Sequence, residues 1–469
     1  MAEIMMDTAP KSSAALPQPD YAALHTWDNY SAQLLVEYEQ CVDEGREMSG
    51  LKDVFEVVSH LPESHEKAQL ADILHRMAMA APVRAGYAYD EPTGYDAIQS
   101  RCAHWTPRKV PADQALREKV RGAWYGRISG CLLGKQIEGF WRSEMIPLLK
   151  GTGNWPLRSY IARKDISPQL REQFQFDVYH RCYADTLDGA PADDDTNYTV
   201  LAGELIERYG RNFTSQDVAD LWLEAQPKSA YCTAERVAFR NLVNGYRPPA
   251  AAVYKNPYRE WIGAQIRGDY FGYINPGDPQ TAAQMAWRDA VVSHVKNGVY
   301  GEMFAAAMLA WAPVSGSAEE VIAAGLSQIP STSRLYESIR QVLDWKAQGD
   351  PHDRVLEKLY ERYDDQNIHH WDHTIPNAMI VAAALLYGQG DFGKSICLAV
   401  QSAFDTDCNG ATVGSVVGMM QGFSAIGAQW LEPIHGVLDT DLFGVGKVSV
   451  ENLVDRTMKH LQTDAEKSE

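Results

Sequence analysis

Ser402-Ala403-Phe404-Asp405-Thr406-Asp407-Cys408-Asn409-Gly410-Ala411-Thr412 joins the end of an apolar segment, 396–404, to the start of a small-residue helical pattern, 411–422. Read as a helix entry, it sets Asp405 and Asp407 together at an N-terminus. Two carboxylates about 4 Å apart repel by about 4 kcal/mol at an effective dielectric near 20. The positive end of a helix offsets only about 1 kcal/mol of that. A hard divalent ion with oxygen ligands resolves the remainder. The plainer reading of this stretch alone is an N-cap, Asp407 or Asn409, with one solvated neighbour.

Working outward, Gly410, Gly414, Gly418 and Gly422 recur every fourth residue, and Gly122, Gly126, Gly130 and Gly134 repeat that spacing upstream. Each glycine costs a helix about 1 kcal/mol relative to alanine, so close approach of a neighbouring backbone is the expected return. Two glycine-striped helices are therefore expected to pack near one another, and Glu138, one turn past Gly134, would be carried to the same place. A second acidic knot, Ala192-Asp193-Asp194-Asp195-Thr196, leads into the helical run 201–209. Acids far apart in sequence, each opening a helix, favour one shared metal site over two solvated caps.

Composition bounds the partners. The chain has 469 residues, 45% hydrophobic and 22% charged, which is ordinary for a globular protein. A net charge of −19, with no basic run to offset it, argues against nucleic acid but leaves a small anionic ligand open. The seven cysteines are scattered and never form a CxxC pair, which speaks against both a disulfide framework and a zinc site and for reduced thiols in the cytoplasm. Residues 1–20 read as a tail and not a signal peptide, and no window approaches a membrane span. Nothing in the sequence fixes the oligomeric state.

Along the rest of the chain, helical periodicity fills 21–81, and the pattern breaks over 82–108, a candidate boundary. The division expected is a tail (1–20), a helical extension (21–111), the main domain (112–462) and a second tail (463–469). Residues 139–175, with Trp141, Trp155 and Pro156, read as a surface loop. The stretch 246–279 is irregular and aromatic, and is expected either to grip a ligand or to cover the core. Residues 282–311 read as two apolar helices around Ser293-His294-Val295-Lys296-Asn297-Gly298, with Asn297 and Gly298 a candidate kink. His369-His370-Trp371-Asp372-His373 lacks the spacing of a zinc helix and reads as a helix-entry loop. Strand signals are weak throughout, so the fold class expected is all-α.

These motifs together resemble the ADP-ribosylglycohydrolase family, the dinitrogenase-reductase-activating and ADP-ribosyl-acceptor hydrolases, from Ala112 to Leu461. The resemblance rests on Asp194-Asp195-Thr196, like the family's Asp-Asp-Thr, on Asp405-Thr406-Asp407, like its second acid motif, and on the glycine-striped segment ending in Glu138, like its first. Cys131 stands where the family usually has Asp, Asp193 where it has Thr or Ser, Cys408 where it has Thr, and Phe404 where it has Gly. The resemblance implies a compact all-helical domain binding two Mg²⁺ ions, with Mn²⁺ the alternative, that hydrolyses the bond joining ADP-ribose to an acceptor. The metal ligands implied are Asp193, Asp194, Asp195, Asp405 and Asp407, and the catalytic candidates are Glu138, Asp195 and Asp405. Asp269, Asn275, His294, Asn297 and Tyr300 are candidate contacts to the substrate. That substrate is an ADP-ribosyl conjugate, on a protein or free, or a smaller ribosyl compound cleaved in the manner of a nucleoside hydrolase. A non-catalytic ADP-ribose-binding module and a two-metal phosphoesterase are the competing classes.

Overall fold

In the computed structural model, which describes residues 18–174 and 182–462, the chain forms two compact units divided at Val83/Arg84. The first unit is built on helices α1 (Leu34–Asp43), α2 (Lys52–Ser59) and α3 (His65–Ala80). Its own core gathers Leu34, Cys41, Phe55, Ala71 and Leu74. Ser64 caps α3 by accepting from the Lys67 amide at 3.2 Å, a satisfied helix start of the ordinary kind.

The second unit is organised on a helix pair, α4 (Gln114–Lys135) and, far downstream, α9 (Thr406–Gln421). Between them the chain lays down α5 (Asp194–Tyr209), α6 (Lys296–Trp311), α7 (Thr374–Gly388) and α8 (Phe392–Val400), and α10 (Val450–Gln462) follows α9. The glycine stripes of α4 and α9 face each other. A Cβ added to Gly126 would lie 2.1 Å from the Gly414 carbonyl oxygen, and one on Gly130 would lie 1.9 Å from that of Gly410. Only hydrogen at Cα permits this separation. Gly122 meets Gly418 and Gly134 meets Thr406, so the helices run antiparallel. The C-terminal end of α4 is thereby set against the N-terminal end of α9, and the Thr406 hydroxyl donates to the Gly134 carbonyl at 2.9 Å.

α6 and α7 are buried almost all round, as expected for helices apolar on every face. One short antiparallel pair, β1 (Val437–Leu438) and β2 (Val448–Ser449), is the sheet found among the described residues. The all-α expectation is met.

Local readings differ in four places, one of them the His369–His373 run, where Ile368–Asp372 is a short helix capped by Asn367 and not a loop. Within 139–174 the chain forms helices Arg142–Gly151 and Pro168–Phe174, because Met145, Leu148 and Leu149 bury one face; Gln175 lies outside the described residues. The 246–279 stretch is a run of short helices, Ala250–Val253, Ile262–Arg267 and Asp269–Tyr273. Its rings, Tyr258, Trp261, Tyr270, Phe271 and Tyr273, are core. Asn297 and Gly298 make no kink, since α6 begins at Lys296 and runs on unbroken.

Candidate active site

The acidic knots meet because each opens a helix and the glycine pair brings the helix ends together. Asp193 is the N-cap of α5, its Oδ1 accepting from the Asp195 amide at 3.0 Å, with Asp194 and Asp195 in the first turn. Asp405 is the N-cap of α9, with Asp407 in its first turn. The turn before it holds Ala403 and Phe404 at φ +60° and +58°, left-handed backbone that glycine adopts at least cost. Phe404 occupies this position with its ring buried 5.3 Å from that of Tyr360. The Asn377 side-chain oxygen accepts from the Asp405 amide at 3.2 Å and from Asn409 Nδ2 at 2.7 Å, tying the turn to α7.

Across the helix ends, oxygens of Asp195 and Asp407 and the sulfur of Cys408 lie within 4.8 Å of one another, as do those of Cys131, Asp193 and Asp195. Glu138 hydrogen-bonds to Asp407. Asp193, Asp195, Asp405 and Asp407 are buried, while Glu138 and Asp194 keep part of their surface open. The charges respond accordingly. Burial, then the Glu138 and Asp405 charges, push Asp407 well above the usual carboxylate range. Burial and the Asp193 charge do the same to Asp194. Asp195 rises by burial against the pull of Arg127. Asp193 goes the other way: burial raises it, but the Lys135 ammonium, paired to its Oδ2, holds it below.

Arg127 fixes the floor of the cluster. Fully buried in α4, it donates from Nε to the Asp195 carbonyl at 2.7 Å and from Nη2 to Asp195 Oδ1 at 3.0 Å, and pairs through Nη1 with Asp269 Oδ2 at 2.9 Å. Asp195 Oδ2 and Asp407 Oδ1 are left buried without a hydrogen-bond partner. A buried polar oxygen with no donor is costly, and a cation in the cluster would answer that cost. By this test the donors present fit divalent metal.

The expected substrate contacts are distributed differently. Asp269 lies behind Arg127 and accepts from the Tyr273 hydroxyl at 3.2 Å. Asn275 donates to the Phe271 carbonyl at 2.7 Å and accepts from Arg211. His294 is fully buried, its Nδ1 2.8 Å from the Ser293 hydroxyl, and burial together with the Arg267 charge holds it well below the usual imidazole range. Asn297 donates to Glu91 at 2.8 Å and to Glu260 at 2.9 Å. The Tyr300 hydroxyl donates to the Pro92 carbonyl. Asn275, Asn297 and Tyr300 spend their hydrogen bonds inside other networks.

Sequence reasoning missed three contributors. Asp372, at the end of the short helix Ile368–Asp372, hydrogen-bonds to Asp405, and burial with that neighbour's charge pushes it well above the carboxylate range. Its signal was hidden in a histidine run. Lys135 and Cys232, the latter hydrogen-bonded to Asp194, are the others; an acid-plus-base pairing between the two knots was the available hint for the lysine.

Among curated proteins none matches the chain. A solved structure described as an ADP-ribosylglycohydrolase-related protein complex matches at 18% identity and a TM-score of 0.46, over 75% of this chain and 99% of that one. The family model ADP-ribosylglycohydrolase matches residues 112–466, the span that carries both acidic knots and both glycine helices. The chain therefore belongs to the ADP-ribosylglycohydrolase family and is a glycosyl hydrolase.

Proposed function

We propose that the enzyme hydrolyses the anomeric bond, N- or O-glycosidic, of ADP-ribosyl or smaller ribosyl conjugates, with divalent metal held by Asp193, Asp194, Asp195, Asp405 and Asp407. The observation that carries this reading is the meeting of the two acidic helix starts around unpartnered carboxylate oxygens of Asp195 and Asp407. Two Mg²⁺ ions suit such oxygen donors, with Mn²⁺ the alternative. Bound there, they would supply neutralising charge and anchorage for ribose hydroxyls.

The chain's own groups do the rest. Glu138, partly open and beside Asp407 and Asp405, accepts a proton from the attacking water and aims it at the anomeric carbon. Asp405 and Asp195 stabilise the oxocarbenium-like charge that develops as the bond breaks, and the acceptor leaves with the bonding electron pair and takes a proton from solvent. Arg127 keeps Asp195 from turning away.

The test is a panel of ADP-ribosyl and ribosyl conjugates incubated with and without Mg²⁺, on wild type and on Asp405→Ala. The expected result is metal-dependent release of a ribosyl product, reduced on the order of 10²- to 10⁴-fold in the variant. No release from any conjugate overturns the reading, and release of free phosphate instead assigns a phosphoesterase.

A further inference from the structure

The cluster contains sulfur as well as oxygen, and its two sulfur-bearing groups differ in what already answers their charge. In the first, Cys131 lies with Asp193 and Asp195. There Asp193 is fully engaged: Oδ1 accepts from the Asp195 amide at 3.0 Å, Oδ2 is paired to Lys135, and the Cys131 thiol hydrogen-bonds to the same side chain. Lys135 already places a positive charge beside this corner.

In the second group, Cys408 lies with Asp195 and Asp407. Asp195 Oδ1 is paired with Arg127, while Asp195 Oδ2 and Asp407 Oδ1 are both buried and without a hydrogen-bond partner. Both residues are more than nine-tenths buried, and Cys408 is buried beside them. One carboxylate oxygen from each aspartate and the Cys408 sulfur, mutually within 4.8 Å, make a mixed donor set. Mg²⁺ takes oxygen donors and is poorly served by sulfur, whereas zinc-type ions bind thiolate readily.

We propose that Asp195, Asp407 and Cys408 form a mixed oxygen–sulfur set that makes one of the cluster's metal positions a site for a thiophilic divalent ion of the zinc type. The proposal rests on the reading that these acids hold cations and goes on to name the ion at one position. Binding breaks the Cys408 S–H bond, sends its proton to solvent and forms a sulfur–metal bond, with no change of oxidation state. Thr in place of Cys408 would offer a hydroxyl and restore an oxygen-only set.

The experiment uses the full chain stripped of metal by a chelator, titrated with Co²⁺ and Cd²⁺ and read by sulfur-to-metal charge-transfer absorption, with Mg²⁺ binding followed by calorimetry. Wild type is expected to show the absorption. Cys408→Ser is expected to lose it and to bind Cd²⁺ on the order of 10- to 100-fold more weakly, with Mg²⁺ affinity little changed; Cys131→Ser is expected to keep it. Circular dichroism and melting confirm that each variant folds, and Cys408→Thr serves in place of a serine variant that does not. Cation binding without the absorption, or an absorption that survives loss of Cys408, overturns the thiolate site and leaves the cation reading standing. Failure to bind any of these ions overturns both.

Discussion

Asp407 shows how a residue that weakens the fold serves the site. Its carboxylate is buried among Glu138, Asp405, Asp193 and Asp195, with one oxygen lacking any donor. Replacing it with asparagine removes a like charge, so metal-free Asp407→Asn is expected to be more stable than wild type by about 1–2 kcal/mol at neutral pH in urea unfolding. The same variant is expected to lose most of the thermal shift that divalent ions give wild type. A destabilised variant with an intact metal response would refute this account. His294 gives a pH signature away from the cluster. Burial and Arg267 hold its folded pKa well below the ordinary 6.5, so as pH falls through 6.5 the unfolded chain takes up a proton that the folded one refuses. Stability is therefore present above about pH 6.5 and lost below it, by up to about 2 kcal/mol at pH 5. His294→Asn is expected to flatten that slope in unfolding measured at both pH values. Glu260 titrates in a separate window. Although burial raises it, Arg334 and His373 hold it well below its ordinary 4.5, so its contribution is lost only as pH falls below that value.

Among elements, the α4/α9 pair decides whether the site exists. The Cβ of Gly130→Ala would meet the Gly410 carbonyl at 1.9 Å, backbone against backbone, where no side chain can turn aside. The helices must separate, at an expected cost of about 3 kcal/mol or more. Separation also draws Lys135 and Glu138 away from Asp193 and Asp407, so turnover should fall further than the lost stability explains. Gly316→Ala, with open space at its Cβ, is the matched control, expected to stay within about 0.5 kcal/mol of wild type. The stripe was legible in the sequence because a four-residue spacing is a local pattern, and so were the acidic helix starts at Asp193 and Asp405. Asp372 was not, because nothing near it in sequence announces Asp405 as its partner. The 246–279 stretch misled for a related reason: helices of four to six residues, such as Ala250–Val253 and Ile262–Arg267, are too short to display a helical period. Their buried aromatics look the same in sequence as those of a binding loop. Asn275, Asn297 and Tyr300 were picked out for their chemistry, which buried networks use as readily as ligand sites do.

At the scale of the molecule, each unit has its own hydrophobic core, one drawn from residues between Tyr30 and Ala81 and the other from Ile98 onward. Every acid of the candidate site belongs to the second. The family match begins at residue 112, yet the second unit begins at Arg84, and the intervening strap is bound into it. Glu91 accepts from the Arg334 amide and Nη2, each at 2.9 Å, and from Asn297 at 2.8 Å. The Thr93 carbonyl accepts from the Trp287 indole at 2.8 Å, and the Arg108 amide donates to the Gly277 carbonyl at 2.8 Å. Arg334 is shared between Glu91 and Glu260 in a buried site, and removing one partner of a buried ion pair costs about 3–5 kcal/mol. A chain of residues 84–469 is therefore expected to unfold cooperatively and to keep its metal-induced thermal shift. A chain of residues 112–469, which retains the whole family match but loses Glu91, is expected to be less stable by at least that amount, or not to fold. Glu91→Gln in the full chain should show part of the same loss without any truncation. Equal melting temperatures for the two truncated chains would mean that the strap only decorates a domain complete from residue 112.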